Sequence, residues 1–210
     1  MIKINRDHLE EGLLVNGLNN KSEEAELIRI GVHSVFNHNA MTVKPNGKWG
    51  FAEAVPPYSK VTSIDDYESL INTETTTRDG KKIPGYIIRF YRLKSLTCDE
   101  RRGAAKYFVM NLLNLPYPRK IKMVLLALPI YNAFVDKTGL LPHIRMNWCS
   151  QLDKRAFLSQ DPNCLDGLNG KKKELFTPKT FENRIIQGLF DDVTDNIIDS
   201  DNQIWHETIG

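Results

Sequence analysis

The turn sequence Lys44-Pro45-Asn46-Gly47 is the feature that most constrains the fold of this chain. It separates two apolar-rich runs within the segment from Asn37 to Val55. Asparagine and glycine accept the left-handed backbone of a tight turn, and proline fixes a backbone angle that turns favour. The pattern therefore predicts two adjacent antiparallel strands joined by a hairpin.

The register of this hairpin decides which side chains meet. A four-residue loop would pair His38 directly with Glu53, at the short distance typical of opposed residues in antiparallel strands. A two-residue Asn46-Gly47 turn would pair His38 with Val55, and Glu53 would then be its diagonal neighbour on the same face of the sheet. Either register predicts that the imidazole can meet the carboxylate.

Local patterns predict further strands and helices along the chain. The segments Leu13–Val15 and Gly85–Leu93 are apolar, β-branched or aromatic, which is typical of strands. Helices are predicted where capping residues precede apolar residues at helical spacing, and Thr97-Cys98-Asp99-Glu100 matches a capping box. Their predicted extents are about 22–30, 64–71, 97–115, 149–158 and from 178 onward. The expected fold class is α+β, with an antiparallel sheet or small barrel packed against helices.

The composition predicts one packed domain. The chain has 210 residues, of which 41% are hydrophobic and 26% charged, as is ordinary for a globular protein. Its formal net charge of +2 is unevenly distributed, since residues 191–210 hold five aspartates, one glutamate and no lysine or arginine. We therefore expect a domain over residues 1–190 and an acidic C-terminal tail over residues 191–210.

The remainder of the chain is basic. Because the acidic segment contributes −6 to a total of +2, residues 1–190 carry +8. Lysines and arginines cluster within residues 89–94, 119–122 and 171–173. Such clusters could contact an anionic polymer, a nucleic acid or a protein partner, or only water.

No targeting signal or membrane span is predicted. The N-terminal sequence MIKINRDHLEEGLL lacks the basic and then apolar pattern of a signal peptide. The apolar run at residues 121–135 contains Pro129 and is shorter than the roughly 20 residues that a bilayer requires. We expect that run to form a buried helix or a lid, and the protein to be cytoplasmic or released without a signal peptide.

The chain contains three cysteines, Cys98, Cys149 and Cys164, and their number and spacing limit the disulfides and metal sites that it can form. An odd number without CxxC spacing fits neither a disulfide framework nor a zinc site, and no cofactor motif is present. Cys149 is predicted in the first turn of a helix, whose positive end lowers the pKa of a thiol. A neighbouring imidazolium lowers it further, so His38 suits the role of base and Glu53 the role of orienting that base.

The other histidines are weaker candidates. They lie on a predicted helix exit, close to Cys149 in sequence, or near the termini, and are His33, His143, His8 and His206. A metal site built from His33, His38 and a cysteine has no supporting ligand spacing.

The order of these segments, from about His8 to Glu182, resembles the YiiX-like group of NlpC-type cysteine hydrolases. The matching pieces are LEEGLLV, SEEAELIRI, HNAMTV, Glu53-Ala54, YIIRFYRLKSLTCDERRGAAKYF, Pro116-Tyr117, Cys149-Ser150-Gln151-Leu152 and Thr177-Pro178. In that family the papain fold is circularly permuted, so that the histidine precedes the cysteine. Gln151 and Pro118 depart from the family pattern, but neither is one of the three reacting positions.

The resemblance implies a permuted papain-like fold with Cys149, His38 and Glu53 as the catalytic triad. It implies a thiol hydrolase that cleaves a peptide or amide, or an acyl ester, through a thioacyl-enzyme intermediate. The alternative is a module of the same fold that binds or inhibits a host protein or nucleic acid without turnover. That alternative predicts that Cys149 and His38 are far apart or that the cleft is filled.

Overall fold

The computed structural model describes residues 1–21, 30, 33–76, 80–117, 147–166 and 176–199. Ten strands are present in these ranges: β1 Lys3–Ile4, β2 Leu14–Asn19, β3 His38–Val43, β4 Gly50–Ala54, β5 Ser59–Ser63, β6 Glu74–Thr76, β7 Lys82–Pro84, β8 Tyr86–Leu93, β9 Phe190–Asp192 and β10 Ile198–Asp199. Five helices accompany them: α1 Ile64–Ile71, α2 Cys98–Asn111, α3 Cys149–Leu158, α4 Pro178–Ile186 and α5 Thr194–Ile197.

A six-stranded antiparallel sheet forms the centre, in the order β5-β4-β3-β2-β8-β9. Within the described ranges the sheet is open, because β5 and β9 are its two edges and do not pair with each other. Of the two predicted arrangements, the open sheet is therefore observed and the small barrel is not. The α+β class is confirmed.

The hairpin between β3 and β4 has the register of the two-residue turn. Ala40 faces Glu53 and Val43 faces Gly50, so the direct pairing of His38 with Glu53 that a four-residue loop requires is wrong. Residues 45–47 form a 3₁₀ turn in which Asn46 has a φ of 52° and Gly47 a φ of 77°. Because Glu53 faces the residue two positions after His38, both side chains lie on one face of the sheet.

The predicted helix starts at residues 63, 97 and 177 are confirmed. The side chains of Ser63, Thr97 and Thr177 accept hydrogen bonds from backbone N–H groups three residues later, and Thr97 forms the predicted capping box with Glu100. Helix α2 ends earlier than predicted, because Leu115 instead exchanges hydrogen bonds with Ser59 of β5. The helix predicted at residues 22–30 and the apolar run at 121–135 lie outside the described residues, apart from Ile30.

The first nine residues of the predicted acidic tail belong to the fold. Strand β9 pairs with β8, and β10 pairs with β1. Apolar residues spaced between the aspartates explain this, because Val193, Ile197 and Ile198 are buried against the sheet. Residues 191–199 therefore pack with the sheet, and the division of the chain at residue 191 remains a prediction.

Both faces of the sheet are covered. One face packs against α2, α3 and α4, with Met41, Phe108 and Phe157 fully buried in its core. The other face packs against α1 and the terminal strands, with Phe51 and Phe90 fully buried. Among the described helices, none combines the length and apolar character needed to cross a membrane.

Candidate active site

His38 and Glu53 form a direct hydrogen bond. His38 is the first residue of β3 and Glu53 lies in β4, and Nε2 of the imidazole is 2.6 Å from Oε2 of the carboxylate. The side chains are 16% and 5% exposed, so this contact is shielded from water. Because Nε2 contacts Glu53, Nδ1 is the ring nitrogen that remains for another hydrogen-bond partner.

The Glu53 carboxylate has two further donors. The hydroxyl of Thr62 donates to Oε1, and the hydroxyl of Tyr67 donates to the same Oε2 that His38 contacts. Burial alone would raise the pKa of Glu53, but the hydrogen bond and charge of His38, with the two hydroxyl donors, hold it below its ordinary value. Glu53 is therefore a carboxylate whose oxygens are both occupied by donors.

Cys149 is the first residue of α3. Trp148 precedes it in extended conformation and provides no side-chain cap, so the N–H groups of the first turn are not claimed by a capping side chain. The thiol is buried, with 6% of the residue exposed, and it interacts with the His38 side chain, which lowers the pKa of the thiol. The structure thus brings together Cys149, His38 and Glu53 from α3, β3 and β4.

The electrostatics of this group favour a charged thiol and imidazole. Burial would raise the pKa of Cys149, yet the hydrogen bond and charge of His38 and the backbone N–H of Asn39 lower it. Burial would lower the pKa of His38, yet Tyr86, Cys149 and Glu53 raise it well above its ordinary value. By contrast, burial raises the pKa of Cys164 to about 12.

A buried hydrogen bond joins the helix to the strand next to the site. The hydroxyl of Ser150 donates to Oδ1 of Asn39 over 2.8 Å, and Asn39 in turn donates to Asn16 on β2. Ser150 follows Cys149 in the chain and Asn39 follows His38. The contact therefore fixes the start of α3 against β3 beside the thiol and the imidazole.

Asp153 lies one turn after Cys149 on α3 and was not predicted as a site residue. It is fully buried, and neither carboxyl oxygen has a hydrogen-bond partner among the described residues. Burial first, and then the charges of Cys149 and Glu53, raise the pKa of Asp153 well above its ordinary value, although His38 opposes them. Its only signal in the sequence is an acid beside the apolar residues of a helix.

The remaining histidines of the described ranges do not join this group. His33 is exposed in a turn, and Nδ1 of His8 lies 2.7 Å from the carbonyl oxygen of Asn196. His143 and His206 lie outside the described residues. In the part of the chain that the structure describes, no three or more His, Cys, Asp or Glu side chains form a group that could hold a metal ion.

The predicted basic cluster at residues 89–94 is engaged in ion pairs. Arg89 contacts Asp192 at 3.1 Å, Lys94 contacts Asp191 at 3.2 Å, and Arg92 pairs with Glu10. The clusters at 119–122 and 171–173 lie outside the described residues. Partner binding through this basic surface thus remains a prediction.

Comparison with known proteins finds a structural similarity. No protein-family model matches the chain, and no curated protein matches it. The chain is similar to the solved structure of metalloprotein yiiX from Escherichia coli O157:H7, with 16% sequence identity and a TM-score of 0.47. The similarity covers 75% of this chain and 69% of that chain.

Proposed function

We propose that this protein is a thiol-dependent hydrolase, a peptidase or amidase that uses Cys149 as nucleophile, His38 as base and Glu53 to orient the base. One observation carries the proposal: the imidazole of His38 is hydrogen-bonded through Nε2 to the buried Glu53 carboxylate, and it interacts with the buried thiol at the start of α3, whose pKa it lowers. A nucleophile, a base and an orienting acid in this order are the functional elements of a catalytic triad.

The reaction follows from these contacts. His38 accepts the proton of the Cys149 thiol, and the thiolate sulfur adds to the carbonyl carbon of the substrate. The developing oxyanion is stabilised by N–H groups at the uncapped start of α3, beginning with that of Cys149. The imidazolium then gives its proton to the leaving amine as the C–N bond breaks, which leaves an acyl thioester on Cys149. Water, deprotonated by His38, hydrolyses that thioester and restores the thiol.

We further propose a circularly permuted papain-like fold of the NlpC type. The support is the order of the sequence motifs, together with a cysteine at the start of a helix that packs on an antiparallel sheet carrying the histidine and the acid. A peptide or amide is the proposed substrate class, with an acyl ester as the second choice.

The non-catalytic alternative fits the geometry less well. It predicts Cys149 and His38 far apart or a filled cleft, whereas these two side chains are close enough for each to shift the pKa of the other. A binding module also has no need for a thiol with a lowered pKa beside an imidazole with a raised pKa.

The proposal is tested by the pH dependence of cysteine alkylation. We expect iodoacetamide to modify Cys149 at pH 6 at least tenfold faster than Cys98 or Cys164, because its thiolate is stabilised by His38. In His38→Ala this advantage should be lost. Peptide mass spectrometry reads all three cysteines of one sample, so exposed Cys98 and buried Cys164 are internal controls.

Equal pH profiles for the three cysteines, each with a midpoint near the unperturbed thiol value of about 8.5, would contradict the proposal. If Cys149 reacts as expected, the next measurement is turnover of peptide, amide and acyl-ester substrates by wild type and by Cys149→Ser.

A further inference from the structure

The donors that hold Glu53 come from a single structural unit. Thr62 lies near the end of β5, and Tyr67 lies in α1, which begins immediately after that strand. Ser63, between them, caps the helix by accepting a hydrogen bond from the N–H of Asp66. The strand-to-helix junction therefore sets the positions of both hydroxyls relative to the carboxylate.

Tyr67 is held firmly in place. It is 2% exposed, and its ring makes edge contacts with Phe51 at 4.4 Å and with Tyr86 at 5.8 Å between centroids. Phenylalanine could make the same ring contacts, so packing alone does not require the hydroxyl. What the hydroxyl adds is its hydrogen bond to Oε2 of Glu53.

The shared oxygen gives this contact a consequence for His38. Oε2 accepts from both Tyr67 and Nε2 of His38, while Oε1 accepts from Thr62. With both oxygens occupied, the carboxylate cannot rotate away from the imidazole without also breaking its hydrogen bonds with Thr62 and Tyr67. The two hydroxyls also stabilise the ionised form of a buried acid, which burial alone would neutralise.

We propose that Tyr67 and Thr62 are positioning residues that clamp the Glu53 carboxylate, and that through it they set the orientation and charge of His38. The expected effect on Cys149 rests on the proposed function. The clamp on Glu53 does not, because it involves only that carboxylate and its hydrogen-bond donors. In the described part of the chain both hydroxyls donate to Glu53, so we expect their effect on reactivity to act through that carboxylate.

The test uses hydroxyl deletions in the full chain. We expect Tyr67→Phe and Thr62→Val each to slow alkylation of Cys149 at pH 6 about tenfold and to move the acidic limb of its profile up by about one pH unit. The reason is that a less ionised Glu53 stabilises the imidazolium less. Thr62→Ser keeps a hydroxyl and should retain the wild-type profile.

Two controls separate positioning from a general loss of structure. Tyr107→Phe removes a hydroxyl from α2, which packs on the face of the sheet opposite to Tyr67 and α1. This variant should leave the alkylation profile of Cys149 unchanged. In a Glu53→Gln background, Tyr67→Phe should add no further effect, since the group it positions is already altered. A wild-type profile for Tyr67→Phe, or an effect that persists in Glu53→Gln, would overturn the clamp.

A second readout keeps this inference distinct from the proposed function. In protein labelled with ¹³C at the glutamate carboxyls, Tyr67→Phe should raise the midpoint at which Glu53 titrates, whether or not Cys149 is reactive. An unreactive Cys149 in the wild type would defeat the proposed function alone, whereas an unchanged Glu53 titration would defeat the clamp alone.

Discussion

At the scale of single residues, Asp153 is a buried carboxyl group whose two oxygens have no hydrogen-bond partner among the described residues. A carboxylate without hydrogen-bond donors is strongly disfavoured in a protein interior, so Asp153 keeps its proton in the folded state. Asp153 therefore interacts electrostatically with two other acidic groups, Cys149 and Glu53, and with one base, His38. Protonation of Asp153 avoids a negative charge beside Cys149, whose charge is one of the causes that raise the pKa of Asp153.

We predict that Asp153→Asn is more stable than the wild type at neutral pH. The unfolded chain releases the Asp153 proton above about pH 3.9, whereas the folded chain retains it. Wild-type stability is therefore lost as pH rises from about 4 toward the raised folded pKa, by at most about 1.4 kcal/mol per pH unit. Urea unfolding from pH 5 to pH 8 measures this difference.

The amide variant lacks this titration, so its advantage should grow with pH. Asp7→Asn, at an exposed position, is the matched control and should leave the pH dependence as in the wild type. An Asp153→Asn protein with the same pH dependence as the wild type would show that Asp153 is ionised in the fold.

At the scale of elements, the start of α3 is fixed to β3 by the buried contact of Ser150 with Asn39. We predict that Ser150→Ala destabilises the protein by about 1–3 kcal/mol, because the side-chain oxygen Oδ1 of Asn39 loses its buried hydrogen-bond donor. It should also slow alkylation of Cys149 at pH 6, because the helix start is then free to shift relative to His38. Urea unfolding and alkylation of the same samples measure both effects.

Thr97→Ala is the matched control for that prediction. Loss of the α2 cap should cost about 1 kcal/mol of stability, but it lies on another helix and should leave Cys149 reactivity intact. If the two variants slow alkylation equally, general destabilisation explains the result and the anchoring role of Ser150 is wrong.

Local patterns in the sequence predicted the elements better than their contacts. Capping residues such as Thr97 act on their own helix, so these helix starts were predictable. The turn around Asn46-Gly47 allowed two registers, because loop length cannot be determined from turn residues alone. His38 and Glu53 were still predicted to meet, since both registers place them on one face.

The rest of the site depends on contacts between distant segments. Tyr67 was predicted only as part of a helix and Thr62 as part of no element, and their convergence on Glu53 follows from how β5 and α1 pack. Asp153 resembles any polar residue of an amphipathic helix until its burial is known. The catalytic roles of Cys149, His38 and Glu53 remain predictions.

At the scale of the whole molecule, residues 191–199 of the acidic segment are part of the fold, where β9 pairs with β8 and β10 with β1. We predict that removal of residues 191–210 leaves the chain largely unfolded. Burial of Val193, Ile197 and Ile198 contributes about 1.5–3 kcal/mol for each side chain. The three contributions together are comparable with the entire free energy of unfolding of a typical domain. Circular dichroism and urea unfolding of the shortened chain measure the loss.

The charges of this segment should matter far less than its apolar residues. A variant with Asp191→Asn and Asp192→Asn loses two partly exposed ion pairs, with Lys94 and Arg89, and should change stability by no more than about 1 kcal/mol. A shortened chain that unfolds like the wild type would contradict the structural role of β9 and β10.

His38 and Glu53 are 15 residues apart in the chain, whereas Cys149 and His38 are separated by 111, as are their neighbours Ser150 and Asn39. The first contact can form with a local hairpin, but the second closes a long loop and raises the contact order of the fold. During refolding, the imidazole should therefore find its carboxylate before it finds its thiol. Rapid alkylation at low pH would then report completion of the tertiary structure, and a nascent chain would carry only an ordinary thiol.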